Sequence, residues 1–338
     1  MKRNLTCLVL ALAVAATAAA QSVPKGVGMP KTPWGDPDIQ GVWDYWTFTP
    51  VERPKEFGNK ATMTEAEAAE YGKRLQRQAL SIDNEGPGRG QTGAYGQELW
   101  TDRARGGALR QTSIIVEPED GQIPPLTPEA QKAASAPPVP GHPVRSRTTG
   151  PTSDDPEARG LAERCLLGFS TGPPFQPGGY NNNVQIVQTP GYVMLFLEMN
   201  HDVRVIPTSG RPHLPSNLRN WLGDSRGKWE GNTLVVETTN FTPKVAAFSI
   251  RRGAGGAEVG EGQNLKLVER FTRVDNKTLN YEFTVNEPST FTRPFTGRLP
   301  MQLTDQLMYE YACHEGNYGL ENILRGARVS EKLAQEGK

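Results

Sequence analysis

The fold class is decided by residues 265–285, which read LKLVERFTRVDNKTLNYEFTV. Apolar and polar side chains alternate on both sides of residues 275–277, a polar run that is typical of a hairpin loop. With this loop, Phe271 faces Tyr281 across two antiparallel strands, and successive side chains point to opposite faces. The segment therefore predicts a β-hairpin that has one apolar face.

The same register places Glu269 on the apolar face, opposite Phe283. A charge on a buried face needs either a partner or a ligand. Arg273 lies on that face four residues further on, so an ion pair is one explanation. The other explanation is a role for Glu269 in a ligand pocket; Tyr281 on the partner strand and Arg204, two residues after Asp202 on another strand, are further candidate ligand-binding residues. The sequence leaves both open.

Further strands are expected on both sides of the hairpin. They cover residues 184–189, 192–199, 202–207, 233–239, 295–303 and 307–313, with shorter candidates at 38–46 and 113–117. Many short strands joined by turns, without strand–helix alternation, predict a mainly β protein. The expected architecture is an antiparallel meander that forms a barrel, a half-barrel or a sandwich.

Short helices are expected outside the sheet. Thr64-x-x-Glu67 is a capping box that predicts a helix at 65–80, and Thr127 followed by proline begins a second helix. Residues 84–107 and 253–262 are predicted as loops, and the proline-rich residues 118–156 as an extended arm. The chain then divides into a signal peptide at 1–20, an irregular Gly/Pro-rich arm at 21–160, a β core at 161–318, and a helix with a tail at 319–338.

The first twenty residues have the pattern of an export signal. Lys2 and Arg3 precede an apolar run at residues 5–19, and small residues lead to a cleavage site near Ala20. The run is too short for a membrane-spanning helix, and no later transmembrane segment is expected. We therefore expect a periplasmic or secreted protein of unknown oligomeric state.

Charge and cysteine content narrow the class of protein further. The 37 basic residues balance 37 acidic ones, which argues against nucleic acid as a partner because such binding needs a basic excess. Beyond the signal, only Cys165 and Cys313 remain. In an oxidising compartment these two cysteines either form a disulfide or stay as buried free thiols.

Glu198 is the sharpest single candidate for a functional residue. The strand at 192–199 is apolar on both faces, which predicts a central position in the sheet. A carboxylate at the end of such a strand borders a dry region, where its pKa rises. Alternatively, Glu198 emerges into solvent where the strand ends.

Two histidines stand beside carboxylates at predicted strand ends. His201 precedes Asp202, and His314 precedes Glu315. A neighbouring carboxylate orients an imidazole for acid–base catalysis, so we expect both pairs to face one cavity. The alternative without a functional role is that these histidines only form hydrogen bonds with the backbone at strand ends. A zinc or iron site through His201, His213 and His314 is conceivable, but we favour no cofactor.

Ligand-binding candidates come from two polar–aromatic segments. Residues 309–319 carry Tyr311 among several polar groups, and residues 180–183 carry Tyr180 and Asn182 ahead of a strand. Aromatic rings with polar tips suit a pocket wall, although they also suit an ordinary core.

Several motifs resemble those of a family of uncharacterised secreted bacterial proteins. They are GYNNNVQIVQTPGYV at 179–193, GDSRGKWEGNTLVVETTNF at 223–241 and YACHEGNYG at 311–319. That resemblance implies export but no particular activity. Residues 41–43, Gly-Val-Trp, are similar to the first-strand motif of lipocalin-like barrels, which favours a barrel over a sandwich as a fold analogy.

Three functions follow as hypotheses. The first is an exported enzyme that acts on a small, largely apolar molecule in a β-barrel pocket by carboxylate and histidine acid–base chemistry, as an isomerase, lyase or hydrolase. The second is a non-catalytic periplasmic protein that binds a small molecule. The third is a structural or interaction protein of the cell envelope.

Overall fold

The computed structural model describes residues 29–81, 101–135, 152–252 and 255–337. The predicted signal peptide at 1–20 lies outside these ranges, as do parts of the predicted loop at 84–107 and of the proline-rich arm. Within the described ranges, none of the helices has the length and apolar character needed to cross a membrane.

The protein is mainly β, as the sequence predicts. Its strands are β1 (Gly41–Asp44), β2 (Ile115–Glu117), β3 (Asn183–Thr189), β4 (Tyr192–Leu197), β5 (Val203–Pro207), β6 (Asp224–Glu230), β7 (Thr233–Thr239), β8 (Phe248–Arg252), β9 (Gly255–Val259), β10 (Lys266–Arg273), β11 (Thr278–Asn286) and β12 (Phe295–Thr304). Ten of them form one antiparallel sheet in the order β5-β4-β3-β1-β12-β11-β10-β7-β6, with β2 paired to β12. β8 and β9 form a separate hairpin.

The β10–β11 hairpin has the predicted register. Phe271 pairs with Tyr281, and Glu269 pairs with Phe283. Where β11 meets β12, Phe283 lies over Gly297, and a Cβ atom built on that glycine would be only 2.2 Å from the phenylalanine ring. A side chain at position 297 would therefore displace a core aromatic residue.

The sheet curls but does not close into a barrel. Its two edge strands, β5 and β6, meet through side chains: the Arg204 Nη2 atom lies 3.2 Å from the Ser225 Oγ atom. The half-barrel alternative is thus the correct one. The concave interior is filled rather than hollow, because a loop inserts Phe175 against Tyr45 and Tyr281, at ring-centroid distances of 5.3 and 5.0 Å.

Three α-helices lie outside the sheet: α1 (Glu65–Ser81), α2 (Pro128–Ser135) and α3 (Tyr318–Gln335). The predicted capping box is present at α1, since Glu67 accepts the Thr64 N–H at 2.8 Å and the Thr64 hydroxyl accepts the Glu67 N–H at 3.2 Å. The predicted arm also contributes to the sheet, because β1 lies between β3 and β12.

Several local predictions are wrong. Residues 307–313 form no strand, because β12 ends at Thr304 and both of its edges are already paired, with β11 and β1. The expected loop at 253–262 includes β9, whose glycine-rich sequence has no apolar alternation. The charged edge strand β6 was missed for the same reason.

Cys165 and Cys313 form a disulfide, with Cα atoms 5.6 Å apart. The bridge joins the loop before Phe175 to an irregular segment, residues 305–317, which runs from β12 to α3. We call this segment the strap. The disulfide alternative of the sequence prediction is thereby confirmed.

Candidate functional site

A cleft of about 700 Å³ lies where β3 begins, β4 ends and the strap leaves β12. Its polar lining comes from Asp102, Asn181, Asn183, Glu198 and Gln306. The remaining lining comes from Tyr180, Leu307, Tyr309 and Tyr311. The cleft thus brings together three predicted site residues, Glu198, Tyr180 and Tyr311.

Glu198 is held at the base of the cleft. It directly follows β4 and is 7% exposed. Its Oε2 atom accepts hydrogen bonds from the side-chain amide of Asn183 at 2.9 Å and from the Asn183 backbone at 3.2 Å. Burial is the main reason why the pKa of Glu198 is raised, and the negative charge of Asp102 raises it further. Of the two sequence alternatives for Glu198, the structure shows the buried one.

Asp102 is the second carboxylate of the cleft. It begins a short 3₁₀ turn, Asp102–Arg105, and its Oδ1 atom lies 3.2 Å from the Arg105 Nε atom. The side-chain amide of Asn182 donates to its Oδ2 atom. Burial raises the pKa of Asp102 as well, and the charge of Asp44 adds to this effect. Burial thus raises the pKa of both carboxyl groups, while at Asp102 the hydrogen bond from Asn182 and the charge of Arg105 oppose this shift.

Three consecutive asparagines explain how the two carboxylates are positioned. Asn181 has a φ of +56°, a conformation that asparagine tolerates better than most residues and that turns the chain into β3. Asn182 and Asn183 then point to opposite sides of the extended chain, so Asn182 contacts Asp102 while Asn183 contacts Glu198.

The side-chain amide of Asn183 forms a hydrogen bond through its nitrogen but, among the described residues, not through its oxygen. This residue lines the cleft and is 7% exposed, yet its Oδ1 atom has no hydrogen-bond partner among the described residues. Buried polar atoms are almost always paired, so this oxygen is an exception among the described residues.

Tyrosines form the outer wall. The ring of Tyr311 on the strap stacks near that of Tyr180, with centroids 6.2 Å apart and planes inclined by 29°. Leu307 and Tyr309 are 72% and 70% exposed, so the wall is open to solvent. The strap is fixed beyond Tyr311 by the disulfide at Cys313. This wall uses residues 307–313, the segment for which a strand was expected.

Three other candidates, Arg204, Glu269 and Tyr281, lie on the buried face of the sheet and do not line the cleft. Arg204 donates to Glu269 Oε1 at 3.1 Å, and Tyr281 donates to the same atom at 2.8 Å. All three side chains are buried, and burial raises the pKa of Tyr281 well above its usual range. The partner of Glu269 is therefore Arg204 and not Arg273, which instead lies 5.5 Å from the ring of Trp43.

The histidine candidates do not line the cleft. His201 and His314 are exposed, as is Glu315, while Asp202 is half-buried beside His201. His213 lies elsewhere: its Nδ1 atom is 2.7 Å from Asp224 on β6. Among the described residues, no group of three histidines, cysteines or carboxylates is arranged to hold a metal ion.

Asp102 is the site residue that sequence reasoning missed. It lies within the Gly/Arg-rich segment, which has no apolar periodicity and matches no motif. The asparagine run at 181–183, which is distant in sequence but contacts both carboxylates in the fold, was the one indirect signal.

Compared with known proteins, the chain matches no family model, no curated protein and no solved structure. The resemblance to secreted bacterial proteins therefore stays a prediction. Any statement on function must come from the cleft itself.

The raised pKa of Glu198 predicts a measurable dependence of stability on pH. Folding favours the protonated carboxyl group, so this contribution is fully present below the ordinary value of 4.5 and is lost as pH rises through the folded-state pKa. Glu198→Gln keeps the neutral form at every pH. We expect its melting temperature to exceed that of the wild type by a few degrees at neutral pH, with the gap closing in acid.

Thermal unfolding over about pH 4–8 checks this expectation. Glu310→Gln is the matched control, because Glu310 lies on the strap with an exposed side chain and does not line the cleft. Parallel pH profiles for the wild type and Glu198→Gln would contradict the raised pKa.

Proposed function

We propose that the protein is an exported enzyme that uses Glu198 and Asp102 for acid–base catalysis in the cleft. One observation carries the proposal: two carboxylates with raised pKa values line the same open cavity. Carboxyl groups in a cleft whose pKa values are shifted by burial and by a neighbouring charge are typical of acid–base sites. The disulfide supports an oxidising compartment, either the periplasm or the exterior.

The environments of the two groups suggest different roles. Glu198 is the more deeply placed and has no basic side chain among its partners in the described ranges, so it suits the proton donor. Asp102 lies beside Arg105, whose positive charge favours the ionised form, so it suits the base. The exposed histidines take no part in this proposal.

A second candidate, a protein that binds a small molecule without catalysis, is favoured by the tyrosine wall. Three tyrosines and three amide side chains supply contacts for a ligand whether or not a reaction follows. In that case, the carboxylates only accept hydrogen bonds from the ligand.

A chromogenic screen separates the two candidates. The purified protein is incubated with 4-nitrophenyl esters, phosphates, sulfates and glycosides, and released nitrophenolate is measured. We expect turnover of at least one class, and we expect Glu198→Gln to reduce it by about 100-fold or more, the usual contribution of a general acid.

The control is again Glu310→Gln, which should retain full turnover. Asp102→Asn should lower the rate and flatten the acidic side of the pH–rate profile, because a general base must lose its proton before it can act. Turnover that survives Glu198→Gln unchanged would sink the proposal, and an absence of turnover across all four classes would favour the binding protein.

A further inference from the structure

We propose that the substrate of the cleft is an uncharged carbohydrate and that the reaction is hydrolysis of a glycosidic bond. The inference rests on the proposed acid–base function and names its substrate class. The inference is supported by the hydrogen-bonding side chains and tyrosine rings of the lining, and by the lack of basic groups among the described residues that line the cleft.

The lining matches a substrate rich in hydroxyl groups. The side chains of Asn181, Asn183 and Gln306 each carry one acceptor and two donors, and carboxyl and phenol groups add more of both kinds. A hydroxyl group also donates and accepts, so neighbouring hydroxyls on a sugar ring can satisfy such a lining.

The outer wall matches the other property of a sugar ring, its C–H faces. Tyr309 exposes its ring beside the cleft, and Tyr311 is half-buried against Tyr180. An aromatic face packs against aliphatic C–H groups while its phenol tip stays hydrogen-bonded. Leu307 is the one aliphatic residue among the described residues of the lining, so the cleft favours a polar ring over the largely apolar ligand expected from sequence.

The charge of the cleft excludes anionic substrates. In the part of the chain that the structure describes, no lysine, arginine or histidine lines the cleft, whereas two carboxylates do. Arg105, which contacts the lining residue Asp102, also makes two hydrogen bonds to Asp44, at 2.6 and 3.1 Å. A phosphate or a uronic acid would meet repulsion without a cation to offset it, so the fitting sugar is neutral.

The reaction can be written with these two groups and one water molecule. The Glu198 carboxyl donates its proton to the glycosidic oxygen, the bond from that oxygen to the anomeric carbon breaks, and the leaving sugar departs as an alcohol. Water attacks the anomeric carbon and gives its proton to Asp102. One water is consumed, and no oxidant, reductant or metal is needed.

Two measurements on the full chain test the inference, and binding is kept separate from turnover. Cellobiose, maltose, xylobiose and chitobiose are titrated into Glu198→Gln protein, which is expected to bind without reacting, and binding is followed by calorimetry. The wild type is assayed on the 4-nitrophenyl glycosides of the corresponding monosaccharides. We expect one sugar to bind and its glycoside to be cleaved.

Variants locate the binding. Tyr309→Ala removes an exposed ring, so the fold is retained, and it should weaken binding by about 2- to 10-fold, as for the loss of one aromatic contact. Asn183→Asp removes both amide donors, and any loss of fold would be visible in thermal unfolding. Glu310→Gln should bind like the Glu198→Gln parent when combined with it.

Each outcome bears on one of the two proposals. Failure of all four disaccharides to bind would overturn the carbohydrate inference, as would binding that Tyr309→Ala leaves unchanged. Turnover of an ester with no sugar binding would do so too, while leaving the acid–base function in place. Binding of a sugar without cleavage would support the substrate class and overturn the enzymatic role.

Discussion

Glu269→Ala is expected to destabilise the protein by about 3–5 kcal/mol, because it leaves the buried guanidinium of Arg204 without a counter-charge. Arg204 is 4% exposed and reaches from β5 to Ser225, Thr238 and Glu269 on three other strands. Tyr281 would also lose the acceptor of its hydroxyl. This network holds together the two edges of the curled sheet, which share side-chain contacts but no paired backbone.

Urea unfolding of the wild type and the variant measures this loss. The double variant Arg204→Met/Glu269→Leu is the informative control, because an apolar pair of similar volume has no charge to leave unpaired. We expect it to recover at least half of the loss. A cost below about 1 kcal/mol for the single variant would show that water reaches Arg204 at the contact between β5 and β6.

Removal of the disulfide is the second change with a large expected effect. The cysteines are 148 positions apart, and the chain-entropy estimate for so long a loop is roughly 4–5 kcal/mol. Cys165→Ser/Cys313→Ser should therefore lower the free energy of unfolding by several kcal/mol. The variant should also weaken ligand binding, because the strap that carries Tyr309 and Tyr311 loses its covalent anchor.

The two effects can be told apart by measuring binding well below the unfolding transition. Asn317 still ties the strap to the Glu163 carbonyl at 2.8 Å, so partial binding should remain. A destabilised variant with unchanged affinity would show that the disulfide holds the fold but not the cleft wall.

The sequence predicted the sheet better than the site, and the reason is physical. Alternation along β10 and β11 is imposed by burial of one face, so the pattern that revealed the strands also revealed their register. The capping box at α1 is similarly local, since both hydrogen bonds lie within four residues. Such features depend on residues that are close together in the sequence, so a short stretch of chain is enough to predict them.

The site depends on contacts that are distant along the chain. Asp102 and Asn182 are 80 residues apart, and Arg204 and Glu269 are 65 apart, so no local pattern announces either pair. The two histidines were chosen because each precedes a carboxylate at a predicted strand end. The sequence does not tell which end of a strand faces a cavity. Glu198 was the exception, because a carboxylate at the end of an apolar strand marks a candidate site, although the sequence left its burial open.

The inserted Phe175 has a consequence for kinetics. Since this ring fills the volume that a hollow barrel would offer, any ligand must bind at the rim, beside a wall whose Leu307 and Tyr309 already face solvent. Entry then requires no opening of the sheet, and association should follow diffusion and orientation, with exchange rates that vary little with the rigidity of the core.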